Sequence, residues 1–231
     1  MKISVALAAY KGEKYIKEQL LSILSQLGED DEIIVSDDLP SGLTRGAVAE
    51  LTDSRIKYVE GPGKGVVKNF ENALNHCKGD VIFLSDQDDV WLENKVSTVM
   101  AEIEKGKALV LHNASITDGE LNSLNETCFD MYHPDCSFTR NLIRNSYVGC
   151  CMAFKKELIQ KCLPFPEKLP MHDWWIALLA IKKGYGISLI EEPLMLWRRH
   201  GDNVTGGGTS LGEKIRFRLD MISCLISSRK G

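Results

Sequence analysis

The sequence has no excess of positive charge: 28 Lys and Arg stand against 32 Asp and Glu, a formal net charge of −4 with the signs interspersed. Non-specific binding to nucleic acid needs a basic face that neutralises phosphates, so that class is excluded. An anionic ligand would have to meet a local cluster of cations. No run approaches the roughly 20 apolar residues that cross a bilayer, so membrane contact is expected to be peripheral. Paired cysteine spacing is also missing. The seven cysteines (Cys77, Cys128, Cys136, Cys150, Cys151, Cys162, Cys224) are odd in number and scattered. With neither zinc-type nor redox-type pairs, a reduced, cytoplasmic setting is expected. There is no internal repeat and no low-complexity tract, and 231 residues of ordinary composition suit one compact domain with a sizeable core. The opening run "ISVALAAY" matches a short signal segment in length, but Lys11, Glu13 and Lys14 follow it and no cleavage pattern does. It reads as a buried strand.

What the sequence does contain is alternation. Apolar or β-branched runs at Ile3–Ala8, Glu32–Ser36, Arg55–Val59, Val81–Ser85 and Ala108–His112 predict strands. Helical spacing predicts helices at Tyr15–Gln26, Leu43–Leu51, Val66–Asn75 and Glu93–Glu104. This is the signature of βα units, an α/β fold with a mostly parallel central sheet flanked by helices. Beyond His112 the polar stretch "NASITDGELNSLNETCFDMYHPDCSF" reads as a long, partly mobile, substrate-facing segment. "SYVGCCMAF" then reads as a strand, "KKELIQKC" as a short helix, "DWWIALLAIKKG" as a helix closed by Gly184, and "YGISLIEEPLMLWRRH" as strand material interrupted at Pro193. Residues 1–205 are expected to form the main domain. Residues 206–231 are read as a Gly206–Gly208 joint followed by an amphipathic helix.

Three aspartates, Asp86, Asp88 and Asp89, crowd the end of a predicted strand, where open α/β sheets bind ligands. A divalent cation would offset their mutual repulsion with hard oxygen ligands. The same spacing also suits a solvated turn before the next helix. Asp37 and Asp38 end a second strand and could accept a pyrimidine N–H or a ribose hydroxyl, or simply form the turn before Pro40. "GPGKGVVKNFENAL" is a glycine-rich loop running into a helix. Its Lys64 and Lys68 could cradle a phosphate, although it matches neither the Walker nor the dinucleotide fingerprint.

Read together and in order, "AAYKGEKYIKEQLLSILSQ", "IIVSDD", "GKGVVKNFENAL", "DVIFLSDQDDVW", "MHDWW" and "WRRHGDNVTG" resemble the family 2 glycosyltransferases of the GT-A (Rossmann-like) fold, particularly bacterial rhamnosyltransferase-like members. The resemblance runs to about Gly206. It implies inverting transfer from a UDP- or dTDP-linked sugar to a saccharide or lipid-linked acceptor in cell-surface polysaccharide synthesis, with Mn²⁺ or Mg²⁺ as cofactor. By that resemblance Asp86 and Asp88 form the DxD, with Asp88 the principal metal ligand. Asp37 and Asp38 contact base and ribose, and Ala8, Tyr10 and Glu13 line the nucleotide pocket. Lys68 stands where an arginine near the base or diphosphate is common. Asp173 corresponds to the general base, and His200 completes the metal shell or touches the diphosphate.

The residues themselves leave other roles open. Taken alone, Asp173 suits a helix N-cap better than a base and His200 suits a structural role, while Trp174 and Trp175 suit a sugar platform or a core anchor, and Arg198 and Arg199 suit a diphosphate or a salt-bridged strand end. "DDLPSG" and "AAYKG" depart from the family pattern, so base contacts are expected to differ. The competing readings are a sugar-nucleotide nucleotidyltransferase, which would need a glycine-rich basic loop after the first strand, and an inactive nucleotide-sugar-binding module.

Overall fold

The computed structural model describes residues 1–201 and 210–227. Strand β1 (Ile3–Ala9), helix α1 (Ile16–Leu24), β2 (Glu32–Asp37), α2 (Thr44–Ala49), β3 (Ile56–Glu60), α3 (Val66–His76) and β4 (Val81–Asp86) follow one another as βα units. Every residue of β1 and β2 is buried, as a parallel strand covered on both faces requires. Helix α3 packs on β1 and β2 through Phe70, Ala73 and Leu74.

The second half is β5 (Val90–Trp91), α4 (Lys95–Glu104), β6 (Leu109–Thr117), β7 (Ser123–Thr127), α5 (Cys128–Tyr132), α6 (Phe138–Ile143), β8 (Met152–Lys155), α7 (Lys156–Ile159), α8 (His172–Lys182), β9 (Ile187–Arg198) and α9 (Leu211–Ser227). The sheet order is β3-β2-β1-β4-β8-β6-β9-β5, with β7 paired to β6. Strands β3, β2, β1 and β4 run parallel, as expected. The sheet becomes mixed beyond them, because β8 enters antiparallel to both β4 and β6.

Three local expectations are corrected. The polar stretch after His112 is ordered: β6 continues to Thr117, turns into β7, and leads into α5. A capping box starts α5, with Thr127 Oγ1 accepting from the Asp130 N–H while the Asp130 carboxylate accepts from the Thr127 N–H. "SYVGCCMAF" is only half strand, since Gly149–Cys151 form a 3₁₀ turn before β8. Pro193 does not interrupt β9. It sits opposite Asn113 at a register shift, and Asn113 patches the ladder by accepting from the Ala114 and Phe129 N–H groups and donating to the Glu191 carbonyl.

Helix α8 is buried from His172 through Ala180, so it is apolar nearly all round and anchors the second half of the core. Helix α9 forms as expected. The Gly206–Gly208 joint and the boundary at 205/206 lie outside the described residues.

Candidate active site

In the parallel register Ala9 lies opposite Asp37 and Ala8 opposite Asp86, so the ends of β2, β1 and β4 converge at one sheet edge. That edge borders a cavity of about 740 Å³ whose lining includes Tyr10, Asp38, Asp86, Asp88, His172 and Asp173. Four of the expected nucleotide contacts, Ala8, Tyr10, Asp38 and Asp86, line it. The Tyr10 side chain is 52% exposed. Its backbone is clamped by Gln87, whose amide accepts from the Tyr10 N–H at 2.8 Å and donates to the Tyr10 carbonyl at 2.9 Å. Asp38 accepts from the N–H groups of Gly63 and Gly65, both at 2.7 Å, which ties the glycine-rich loop to the end of β2. A Cβ at Gly61 would lie 2.6 Å from Asn69 Oδ1 and 2.8 Å from the Asp37 carbonyl, so only glycine lets the loop pass. Buried Asn69 donates to the carbonyls of Ala9 at 3.1 Å and Ser36 at 2.9 Å, holding β1 and β2 at fixed spacing beneath the cavity. In the sequence Gln87 is no site candidate and Asn69 stands only beside Lys68 in the candidate phosphate loop, because each acts through backbone groups that become neighbours only in the fold.

Several expected contacts lie elsewhere. Asp37 is fully buried and accepts from Tyr58 Oη at 2.7 Å and the Leu39 N–H at 3.1 Å, so it holds the turn. Glu13 and Lys64 are exposed outside the lining. Lys68 Nζ pairs with Glu71 at 2.8 Å and Glu167 at 3.4 Å, so its charge is taken up along α3. Trp174 is a core anchor: it is buried, with Nε1 donating to the Asn141 carbonyl at 2.6 Å. Arg199 donates its N–H to the Thr117 carbonyl, and its guanidinium stacks on Trp197 at 4.8 Å.

Arg198 also stands outside the lining and serves the acidic loop from within. Its N–H donates to Asp89 Oδ1 at 3.1 Å, Nε to the Asp88 carbonyl at 2.7 Å, and Nη1 to the Gly119 carbonyl at 2.7 Å, while Nη2 pairs with Glu18. These bonds fix the path of the chain after β4 and leave the Asp88 side chain toward the cavity. Lys95, also buried, donates to the Cys150 carbonyl at 3.0 Å and lies 4.1 Å above the Trp91 ring. Burial lowers its ammonium to about 8, against the opposing attraction of Cys151, Cys150, Asp89 and Asp86. Burial likewise raises the Asp86 carboxyl to about 7, helped by the charges of Asp88 and Asp173, and raises Asp89 well above the ordinary range.

Could these residues hold a divalent cation? His200 Nε2 lies 2.7 Å from Asp88 Oδ2, so two of the expected metal-site residues meet directly. Among the described residues, the three donors that close to within 4.8 Å of one another are Asp86, Asp89 and Cys150 rather than Asp86, Asp88 and His200. The hydrogen bond with Cys151 and then burial hold the Cys150 thiol protonated, which makes it a poor ligand for a hard cation. Buried Asp89 Oδ2 has no hydrogen-bond partner among the described residues. Carboxylate oxygens at a cavity wall fit Mn²⁺ or Mg²⁺; the thiol does not.

Asp173 opens α8 one residue after the helix start. The N-cap position is Met171, so Asp173 does not occupy it, but its carboxylate accepts from the first-turn Trp174 N–H at 2.5 Å. The carboxylate also accepts from the Gly149 N–H and Asn145 Nδ2, both at 3.2 Å, and burial pushes it up to about 7. The preceding residue, His172, went unremarked in the sequence. Its ring stacks on Phe70 with centroids 4.1 Å apart, neither buried ring nitrogen has a partner among the described residues, and burial lowers it to about 3, leaving a neutral imidazole.

The sequence model of the family described as Glycosyl transferase family 2 matches residues 4–163, a span holding Asp38, Asp86 and Asp88 but ending before Asp173 and His200. The dTDP-rhamnosyl transferase RfbG of Shigella flexneri is 27% identical over 94% of this chain and 78% of its own length. The UDP-Glc:alpha-D-GlcNAc-diphosphoundecaprenol beta-1,3-glucosyltransferase WfgD of Escherichia coli is 28% identical over 81% of this chain and 72% of its own. Among solved structures, S. aureus TarS 1-349 in complex with UDP-GlcNAc superposes with a TM-score of 0.71 at 19% identity, over 96% of this chain and 66% of that one. Mannosyltransferase PcManGT from Pyrobaculum calidifontis, in complex with GDP-Man and Mn2+, gives 0.62 at 19% identity, over 98% of this chain and 62% of that one. The fold is that of the GT-A glycosyltransferases, and with more than half its length matched by the family's sequence model the chain belongs to glycosyl transferase family 2.

Proposed function

We propose that this chain transfers a sugar, with inversion, from a UDP- or dTDP-linked donor to a saccharide or lipid-linked acceptor. The observation that carries this reading is one cavity walled by Asp86 and Asp88 and also by Asp173, whose elevated carboxyl suits proton uptake near neutral pH. Exposed Tyr10 offers a stacking face to a base, and Asp38 sits at the same edge. Asp86 and Asp88, with His200 behind Asp88, would hold Mn²⁺ or Mg²⁺, which when bound supplies positive charge for the diphosphate leaving group. The acceptor oxygen forms a bond to the anomeric carbon as the bond to the diphosphate oxygen breaks, and the acceptor proton passes to Asp173. His172, neutral, lines the same cavity next to that base, with both ring nitrogens buried and unpartnered among the described residues. The activities by which RfbG and WfgD are named support dTDP- and UDP-linked donors, and that of WfgD supports an acceptor on a polyprenyl diphosphate.

The test is a donor screen with purified protein that reads release of UDP, dTDP or GDP with and without Mn²⁺ and acceptor. Donor binding without transfer to any acceptor would favour the inactive binding module. Release of pyrophosphate from a nucleoside triphosphate and a sugar phosphate would favour the nucleotidyltransferase.

A further inference from the structure

Helix α9 has two apolar faces, and among the described residues only one packs on the domain. Phe217, Met221, Cys224 and Leu225 pack inward. Arg218 Nε donates to the Ile143 carbonyl at 2.6 Å, and Lys182 Nζ donates to the Leu225 carbonyl at 3.4 Å, so the helix is seated against α6 and the end of α8. The second face is Leu211, Ile215, Leu219, Ile222 and Ile226, spaced by four, four, three and four residues in a single stripe. These five are 76%, 51%, 61%, 37% and 56% exposed, and Ile143 beside Arg218 is 59% exposed. A helix that only completes a core has one such stripe.

The charges around the stripe identify its partner. At about 100° per residue, Lys214 and Arg218 flank the stripe on one side and Arg216 on the other, while Glu213 and Asp220 project from the far side. Pairing this face with a second copy would bring like cations together. An anionic lipid surface would meet them with opposite charge while the aliphatic side chains enter the acyl boundary.

We propose that α9 lies in the headgroup layer of an anionic bilayer, stripe downward. The Ile143 carbonyl that anchors Arg218 is two residues from Asn145, which donates to Asp173, so the docked surface borders the loop that holds the proposed base. A lipid-linked acceptor would thus arrive from the same side as the membrane. That last step rests on the reading of Asp173 above; the docking surface does not, and the two can fail separately.

The experiment is co-sedimentation of the full chain with vesicles of phosphatidylcholine alone or mixed with phosphatidylglycerol, at low and high salt. The protein should pellet with the anionic vesicles, and high salt should weaken that binding. Ile215→Glu with Leu219→Glu should reduce it at least about tenfold. Both positions are exposed, so circular dichroism and donor binding should be retained. Lys214→Glu with Arg216→Glu should remove the preference for phosphatidylglycerol and serves if the first variant does not fold. The proposal is overturned if the protein stays in the supernatant with both vesicles or if variants and wild type bind alike. It is also overturned if sedimentation velocity shows a dimer that the variants dissociate, which would assign the stripe to a second copy.

Discussion

His200 Nε2 stands 2.7 Å from Asp88 Oδ2 across 112 positions of sequence, tying the segment just after β9 to the acidic loop after β4. Because Asp88 and His200 meet directly, their effects on cation binding should be coupled. Asp88→Asn is expected to abolish Mn²⁺-dependent turnover while the thermal midpoint stays near that of the wild type. His200→Ala should weaken the apparent Mn²⁺ affinity about 10- to 100-fold, and the double variant should fall no further than Asp88→Asn. Additive losses by calorimetric Mn²⁺ titration would separate the two roles.

Asp173→Asn should lower transfer by about 10²-fold or more, with donor and metal affinity nearly unchanged. In the wild type a base whose carboxyl is held up to about 7 is protonated at pH 5 and free at pH 8, so kcat/KM should rise with pH through about 7 and then level. A parallel loss of donor affinity in the variant would assign Asp173 to binding.

The same carboxyl links stability to pH. Its pKa is raised on folding from 3.8 to about 7, so between those values the folded state binds more protons than the unfolded state. Stability should therefore fall as pH rises through that window, by up to about 1.4 kcal/mol per pH unit, and level off above it. Asp173→Asn should be more stable than wild type at pH 8 and should lose most of that advantage at pH 4; equal offsets in urea unfolding at both pH values would contradict the shift.

Lys95 distinguishes a tolerated burial from a required counter-charge. A buried lysine with no electrostatic role is stabilised by replacement with methionine, whereas one that offsets buried carboxylates costs about 3–5 kcal/mol when removed. We expect Lys95→Met to lower the thermal midpoint, and more so at pH 7, where Asp86 begins to ionise while Lys95 is still charged, than at pH 5. A higher midpoint at both pH values would sink the counter-charge role.

His172→Phe keeps the stack on Phe70 and removes two unpartnered nitrogens, so it should stabilise the protein by about 1 kcal/mol while reducing donor turnover. Lower stability with unchanged turnover would mean that the nitrogens are satisfied within the fold and contact no substrate.

Local patterns carried much of this protein's outcome. Burial on both faces gives β1 and β2 short apolar stretches, Val5–Ala9 and Ile33–Val35, and β4 ends on Asp86 with Asp88 and Asp89 just beyond it, so the parallel half of the sheet and its acidic edge were legible as strings. The capping signal Thr127-x-x-Asp130 was equally present in the polar stretch, but it was masked by the low apolar content around it. Which charged side chains face the cavity could not be read in the same way. Arg198 and Lys68 look like ligands for an anion in sequence, yet each is engaged by carboxylates and carbonyls from elsewhere in the fold: Glu18, Asp88 and Gly119 for Arg198, and Glu71 and Glu167 for Lys68. Conversely, Asp173 resembled a helix cap until Gly149 and Asn145 closed over it and burial raised its carboxyl. Strand, helix and turn propensities depend on near neighbours and are written along the chain. The direction, partner and protonation of a charged group depend on desolvation and on charges brought in from distant segments, and only the folded arrangement decides those.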